Sequence, residues 1–104
     1  MAIDPAVAAR IDEVAELCRE AGVKRLEVFG SATTGKFDPE TSDLDFIVEF
    51  LPGVRKPWAG HYFDLRDALT QLYGRSVDLV MVGAIRNPYL RETVDASRTV
   101  LYEH

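Results

Sequence analysis

Hydrophobic residues follow two different periods along this chain of 104 residues. In three stretches they recur every three or four positions, which is the spacing of an amphipathic helix. In four shorter stretches they alternate with polar residues or form a brief apolar run, which is typical of strands. Because helical and extended stretches are interspersed, the pattern predicts a mixed α/β (α+β) fold in which helices back a small mixed sheet.

The predicted helices begin and end at capping signals. The first and the last open with an Asp-Pro or Asn-Pro pair, which combines a good N-cap with a proline at the first helical position. Gly22 and Gly74 are well placed to end the helices that precede them. The predicted helices cover residues 4–22, 61–74 and 87–96. A further short helix is expected directly after Gly30.

The predicted strands cover residues 26–29, 43–50, 76–82 and 99–102. The second of them alternates most regularly, with an apolar face and an acid-bearing face. Glycine, proline and aspartate in residues 35–41, and two prolines and two glycines in residues 51–60, predict loops there. Cys18 falls on the apolar stripe of the first helix and is expected to be a core residue.

Charge and composition exclude several classes of function. The formal net charge is −5 and there is no basic stripe, so direct binding of long nucleic acid is not expected. No apolar run approaches the ~20 residues that cross a bilayer, so no membrane contact is expected. A single cysteine excludes an internal disulfide and fits a cytoplasmic location.

Three aspartates are the strongest candidates for chemistry. Asp43 and Asp45 are two residues apart in one predicted strand, so both emerge on the same side of it. Asp78 stands in another apolar strand, where aspartate is unusual. If the two strands are neighbours, three carboxylates converge. Two Mg²⁺ ions could then bind there and clamp both oxygens of an in-line phosphoryl displacement, whereas an isolated Asp-X-Asp is more often a solvated strand end.

The Gly30-Ser31 pair follows the first predicted strand. A glycine there lets the backbone approach a ligand, and a following helix N-terminus offers N–H groups to phosphate. Taken alone, however, a Gly-Ser pair is a common turn. The pair gains weight from the aspartates that follow it.

Together these residues resemble a known family. Gly30-Ser31, then Ser42-Asp43-Leu44-Asp45, then the later Asp78, are similar to the signature of the nucleotidyltransferase superfamily built on the DNA polymerase β-type palm. The short length and the segments Asn-Pro-Tyr-Leu-Arg and Val-Leu-Tyr-Glu resemble its minimal nucleotidyltransferase branch, MNT. The resemblance implies one nucleotidyltransferase domain over residues 1–104.

The resemblance also implies roles for individual residues. Asp43, Asp45 and Asp78 would hold Mg²⁺ and perform catalysis, with Asp78 acting on the attacking hydroxyl. ATP would be the nucleotide donor. The candidate nucleotide-binding residues are Gly30, Ser31, Lys36 and Ser42. Many relatives have arginine where this chain has Thr34, and Lys36 is the nearest cation that could replace it.

Members of the minimal branch are commonly paired with a HEPN protein, a helical toxin, and some act as antitoxins by transferring AMP to a tyrosine of that toxin. The resemblance therefore implies AMP transfer from Mg·ATP to a HEPN-type toxin, with a homo-oligomer or a hetero-oligomer with the toxin as the assembly. Two alternatives stay open. One is an antitoxin that acts by binding alone, and the other is an adenylyltransferase for an aminoglycoside-like small molecule, completed by a partner subunit.

Overall fold

The computed structural model describes residues 5–30, 43–53, 58–81 and 88–104. The described elements alternate between helices and strands in chain order, as the hydrophobic pattern predicts. They are α1 (Pro5–Ala8), α2 (Ile11–Ala21), β1 (Val23–Phe29), β2 (Leu44–Phe50), α3 (Trp58–Tyr73), β3 (Val77–Met81), α4 (Pro88–Ser97) and β4 (Thr99–Glu103).

The four strands form one mixed sheet in the order β3-β2-β1-β4. β1 pairs antiparallel with both β2 and β4, whereas β2 and β3 run parallel. A parallel pair needs a crossover connection, and α3 lies within it in the chain. As a result β1 ends, and β2 and β3 begin, at the same edge of the sheet.

One face of the sheet packs against α2 and α3. Val14 and Cys18 of α2, and Leu65 and Leu69 of α3, join the inward residues of the strands in one buried cluster. Phe46 of β2 is fully buried there. Burial raises the pKa of the Cys18 thiol to about 12, so it stays neutral, as expected of a core residue.

The opposite face carries a smaller apolar cluster. Ile47 of β2 and Val94 of α4 are buried together, and Phe29 and Val80 pack against them. α4 therefore covers part of the face that the sequence pattern predicts to be acid-bearing. No helix within the described part of the chain is both long and apolar enough to cross a membrane.

A buried ion pair ties β4 to β1 on this same face. Glu27 of β1 is only 4% exposed. Arg98, directly after α4, donates Nε–H and Nη2–H bonds to the two carboxylate oxygens of Glu27 at 2.8 and 2.6 Å. Its remaining Nη1 bonds Asp95 at 2.9 Å. The two-pronged contact satisfies a carboxylate that would otherwise be costly to bury.

The prediction of one continuous first helix is wrong. The helix is interrupted at residues 9–10, because the carbonyl of Val7 is used differently. It accepts a bond from the Arg10 N–H at 3.1 Å and another from the Tyr73 hydroxyl at 3.1 Å, instead of the i+4 bond of a continuous helix. The predicted helix end is confirmed, since Gly22 is left-handed with φ 74°.

Two other predicted boundaries differ by three residues. β1 begins three residues earlier than predicted, at Val23, because this buried residue pairs with Phe50 while charged Lys24 and Arg25 hide the apolar pattern. α3 begins at Trp58, so the last residues of the predicted 51–60 loop are helical. Sequence signals are weak in a first turn, whose N–H groups have no intrahelical partner. The predicted short helix after Gly30 and the 35–41 loop lie outside the described residues.

Candidate active site

The register of the two parallel strands brings two of the candidate aspartates together. Asp45 of β2 lies directly beside Asp78 of β3. Neighbouring strands are about 4.8 Å apart and side chains alternate between faces, so both carboxylates project from the same face. Leu44 donates its N–H to the Ser76 carbonyl at 3.1 Å, which holds the two strand ends together.

Asp43 completes the group from the position just before β2. It is exposed, as is Asp78, whereas Asp45 is half-buried. Burial, together with the negative charges of Asp78 and Asp43, raises the pKa of Asp45 from 3.8 to about 6. Its surroundings, including the two neighbouring carboxylates, therefore disfavour the charged form of Asp45.

Gly30 borders the same group from β1. Phe29, the residue before it, pairs with Asp45 across the antiparallel strands. Gly30 is left-handed, with φ +75°, and a Cβ placed on it would lie 2.9 Å from Oδ2 of Asp45. The backbone at this turn thus approaches the carboxylate more closely than a side chain would allow.

The donor set suits a hard cation such as Mg²⁺. Among the residues that the structure describes, no three His, Cys, Asp or Glu side chains are grouped tightly enough to hold a metal by themselves. Mg²⁺ does not require such a cage, since it usually takes one or two carboxylates plus waters and substrate phosphates. Oxygen ligands that repel one another at an accessible sheet edge fit this manner of binding.

The sheet beneath the carboxylates is apolar. Ile47 and Val80 are the next residues on this face of β2 and β3, and Val94 packs over Ile47. On the other face the hydroxyl of Tyr62 donates to the carbonyl of Leu79, the residue after Asp78. The strands that carry the acids are therefore held from both sides.

The structure brings together four of the seven predicted site residues: Gly30, Asp43, Asp45 and Asp78. The other three, Ser31, Lys36 and Ser42, lie outside the described residues, as does Thr34. Sequence analysis missed the direct approach of Gly30 to Asp45. The available signal for this contact was the position of Gly30 at the end of a strand that could pair with the strand carrying Asp45.

Comparison with known proteins identifies the family. The four-stranded mixed sheet carries carboxylates at the start of two neighbouring parallel strands. The chain belongs to the nucleotidyltransferase domain family, whose model matches residues 11–101. The predicted fold class and family resemblance are confirmed, and the chain is a nucleotidyltransferase.

Two proteins of Methanocaldococcus jannaschii are similar to this chain over 73 residues. MJ0128, named as a protein adenylyltransferase, is 40% identical, and the match covers 70% of each chain. MJ1379, named in the same way, is 34% identical over 70% of this chain and 71% of its own.

Solved structures share the fold. One described as a minimal nucleotidyltransferase is 35% identical, has a TM-score of 0.71, and matches 89% of this chain and 90% of its own. Another is a complex of a tri-AMPylated HEPN toxin of Shewanella oneidensis with its MNT antitoxin. It is 17% identical with a TM-score of 0.62, over 93% of this chain and 72% of the solved one, so its likeness concerns the fold alone.

Proposed function

We propose that this chain transfers AMP from Mg·ATP to a protein hydroxyl, and that the acceptor is a tyrosine of a HEPN-type toxin. The observation that carries the proposal is the meeting of Asp43, Asp45 and Asp78 at one sheet edge, where burial and the charges of Asp78 and Asp43 raise the pKa of Asp45. Such crowding is unfavourable in the free protein, and a bound cation relieves it. Mg·ATP supplies that cation together with the phosphates.

In the proposed site, carboxylate oxygens of Asp43, Asp45 and Asp78 would hold Mg²⁺ together with waters and the nucleotide phosphates. The metal, when bound, supplies charge compensation for the phosphates. Asp78 has the exposure needed to face an entering group, and it takes the proton of the acceptor hydroxyl. The acceptor oxygen then forms a bond to the α-phosphorus, the bond from that phosphorus to the bridging oxygen breaks, and pyrophosphate leaves. Asp45, half-buried against the sheet, keeps a fixed orientation.

The nature of the acceptor is supported by the relatives. Two of them, 40% and 34% identical, are named as protein adenylyltransferases. An MNT antitoxin with this fold is solved with a tri-AMPylated HEPN toxin. A protein acceptor delivered by a partner also fits a site that is open at the edge of the sheet. The acidic net charge of −5 disfavours a nucleic acid acceptor.

Calorimetry with ATP tests the nucleotide and metal part of the proposal. We expect ATP to bind with Mg²⁺ present and to lose most of its affinity when EDTA removes the metal. Asp43→Asn should weaken binding in the same way. Asp64→Asn is the matched control, because Asp64 is an exposed aspartate on α3, which packs on the other face of the sheet. Equal ATP affinity with and without Mg²⁺ would refute the metal-bridged site.

A further inference from the structure

The empty position on Gly30 points directly at one carboxylate. The three atoms nearest to a Cβ built there are Oδ2, Cγ and Cβ of Asp45, at 2.9, 3.8 and 4.0 Å. Real Cβ atoms almost never approach a neighbour within 3.0 Å, so alanine at residue 30 requires a shift. The crowded atom is the end of a side chain rather than backbone. The carboxylate would therefore turn away while the strand keeps its place.

We propose that Gly30 is a positioning residue that reserves the space in which the Asp45 carboxylate sits. In this account the glycine serves the reaction by keeping that carboxylate in its orientation, a role separate from any contact of the Gly30 backbone with phosphate. The inference rests on the proposed function in one respect, since the orientation matters for activity only if Asp45 holds the metal.

A left-handed backbone also favours glycine, and the two effects must be separated. Gly74 provides the comparison within the same chain. Its φ is +66°, close to the +75° of Gly30, but a Cβ there would meet nothing within 4 Å. Gly74→Ala therefore carries the backbone cost alone, whereas Gly30→Ala carries that cost and the displacement of Asp45.

Metal-dependent nucleotide binding gives the first readout. Residues that orient a metal ligand typically change metal affinity by about 10-fold to 100-fold when replaced, and Gly30→Ala should weaken Mg²⁺-dependent ATP binding on this scale. Gly74→Ala should leave this affinity unchanged. If Gly30→Ala and Gly74→Ala bind Mg·ATP equally well, the proposal is overturned.

A second readout does not depend on nucleotide binding, so it separates this proposal from the proposed function. In urea unfolding, Gly30→Ala should lower the midpoint further than Gly74→Ala does. In an Asp45→Ala background, which removes the crowded carboxylate, the two substitutions should lower it equally. A wild type that binds no Mg·ATP would refute the function while this comparison still tests the geometry.

The comparison of Gly30→Ala in the wild-type and Asp45→Ala backgrounds also covers the case in which Gly30→Ala fails to fold. The double variant Gly30→Ala/Asp45→Ala should then recover the folded state, because its two side chains no longer compete for the same space. A double variant that stays unfolded, or an equal difference between the two glycine substitutions in both backgrounds, would exclude Asp45 as the reason for the glycine.

Discussion

The two faces of the sheet perform different tasks with the same four strands. On the face covered by α2 and α3, the inward residues of the strands are apolar and buried in one large cluster. On the other face, among the described residues, α4 covers a small cluster around Ile47, next to an ion pair and the candidate carboxylates. Most of the buried apolar packing that stabilises the fold therefore lies on the first face. The second face carries carboxylates that repel one another.

Strand alternation makes this division possible. Asp45 lies between Leu44 and Phe46, which are both fully buried on the face that α2 and α3 cover. Residues that are adjacent in sequence therefore have different roles. Substitutions on the carboxylate-bearing face should lower activity, whereas substitutions in the large core should lower the free energy of unfolding. The four predictions below run from the largest expected effect to the smallest.

Asp78→Asn should remove catalysis while leaving the fold intact. Loss of a general base lowers rates by about 10²–10⁴-fold, and we expect this loss in single-turnover transfer of labelled AMP to the acceptor. Because Asp78 is exposed, thermal unfolding should be nearly unchanged. Asp64→Asn serves as the matched control. A variant that transfers AMP at the wild-type rate would show that Asp78 is not the base.

Phe46→Ala should have the reverse signature, because it opens a cavity in the large core. Replacing a buried phenylalanine by alanine costs about 3–5 kcal/mol of unfolding free energy, measurable in urea. Tyr89→Ala removes an aromatic ring that is 81% exposed and should cost less than about 1 kcal/mol. Similar losses of unfolding free energy in the two variants would contradict the assignment of stability to the face that α2 and α3 cover.

Arg98→Ala tests the buried ion pair on the sheet face that carries the candidate carboxylates. It leaves Glu27, 4% exposed, without its two-pronged partner and with the longer Arg25 contact at 4.0 Å. We expect a loss of about 2–3 kcal/mol, since a weakly paired buried charge is costly. Arg19→Ala breaks an exposed pair with Glu16 and should cost under about 1 kcal/mol. Equal costs would mean that the Glu27 pair contributes no more than a surface pair.

Asp45→Asn should stabilise the metal-free protein at neutral pH. The folded protein raises the pKa of Asp45 from 3.8 to about 6, so it binds that proton more tightly than the unfolded chain does. This contribution to stability is complete below about pH 4 and is lost as the pH rises through about 6. The gain in the variant should be about 1 kcal/mol at pH 7, because solvent screens a half-buried group.

Urea unfolding in EDTA at pH 4 and pH 7 measures this effect. Wild type and Asp45→Asn should differ at pH 7 and converge at pH 4, whereas Asp64→Asn should show no such dependence. A variant less stable than wild type at pH 7 would mean that the Asp45 charge is compensated in the free protein.

Much of this fold was predictable because the period of apolar residues reports which face is buried. The alternation of β2 placed Phe46 inside and Asp45 outside, and Gly22 and Gly74 marked true helix ends. The break after α1 was not predictable, since it depends on a hydroxyl, that of Tyr73, which is distant in sequence. The burial of Glu27 depends on Arg98, 71 residues away in sequence, so the local pattern of β1 does not report it.

The candidate site, too, has features that the local sequence predicts and features that depend on strand pairing. The spacing of Asp43 and Asp45 fixed their common side, but only the β2–β3 register could place Asp78 next to Asp45. The close approach of Gly30 depends on the antiparallel pairing of β1 with β2. Long-range pairing therefore decided what local pattern could only suggest.

The central claim is that this chain acts by chemistry on a partner, and mass spectrometry of that partner tests it most directly. The proposed acceptor, a HEPN-type toxin, is incubated with Mg·ATP and a substoichiometric amount of this protein, or of the folded Asp43→Ala/Asp45→Ala variant. We predict one or more added AMP masses on a toxin tyrosine with wild type and none with the variant. In cells that express the toxin, wild type should restore growth and the variant should not. An unmodified toxin that the double variant still neutralises fully would contradict the account and leave binding alone as the mechanism.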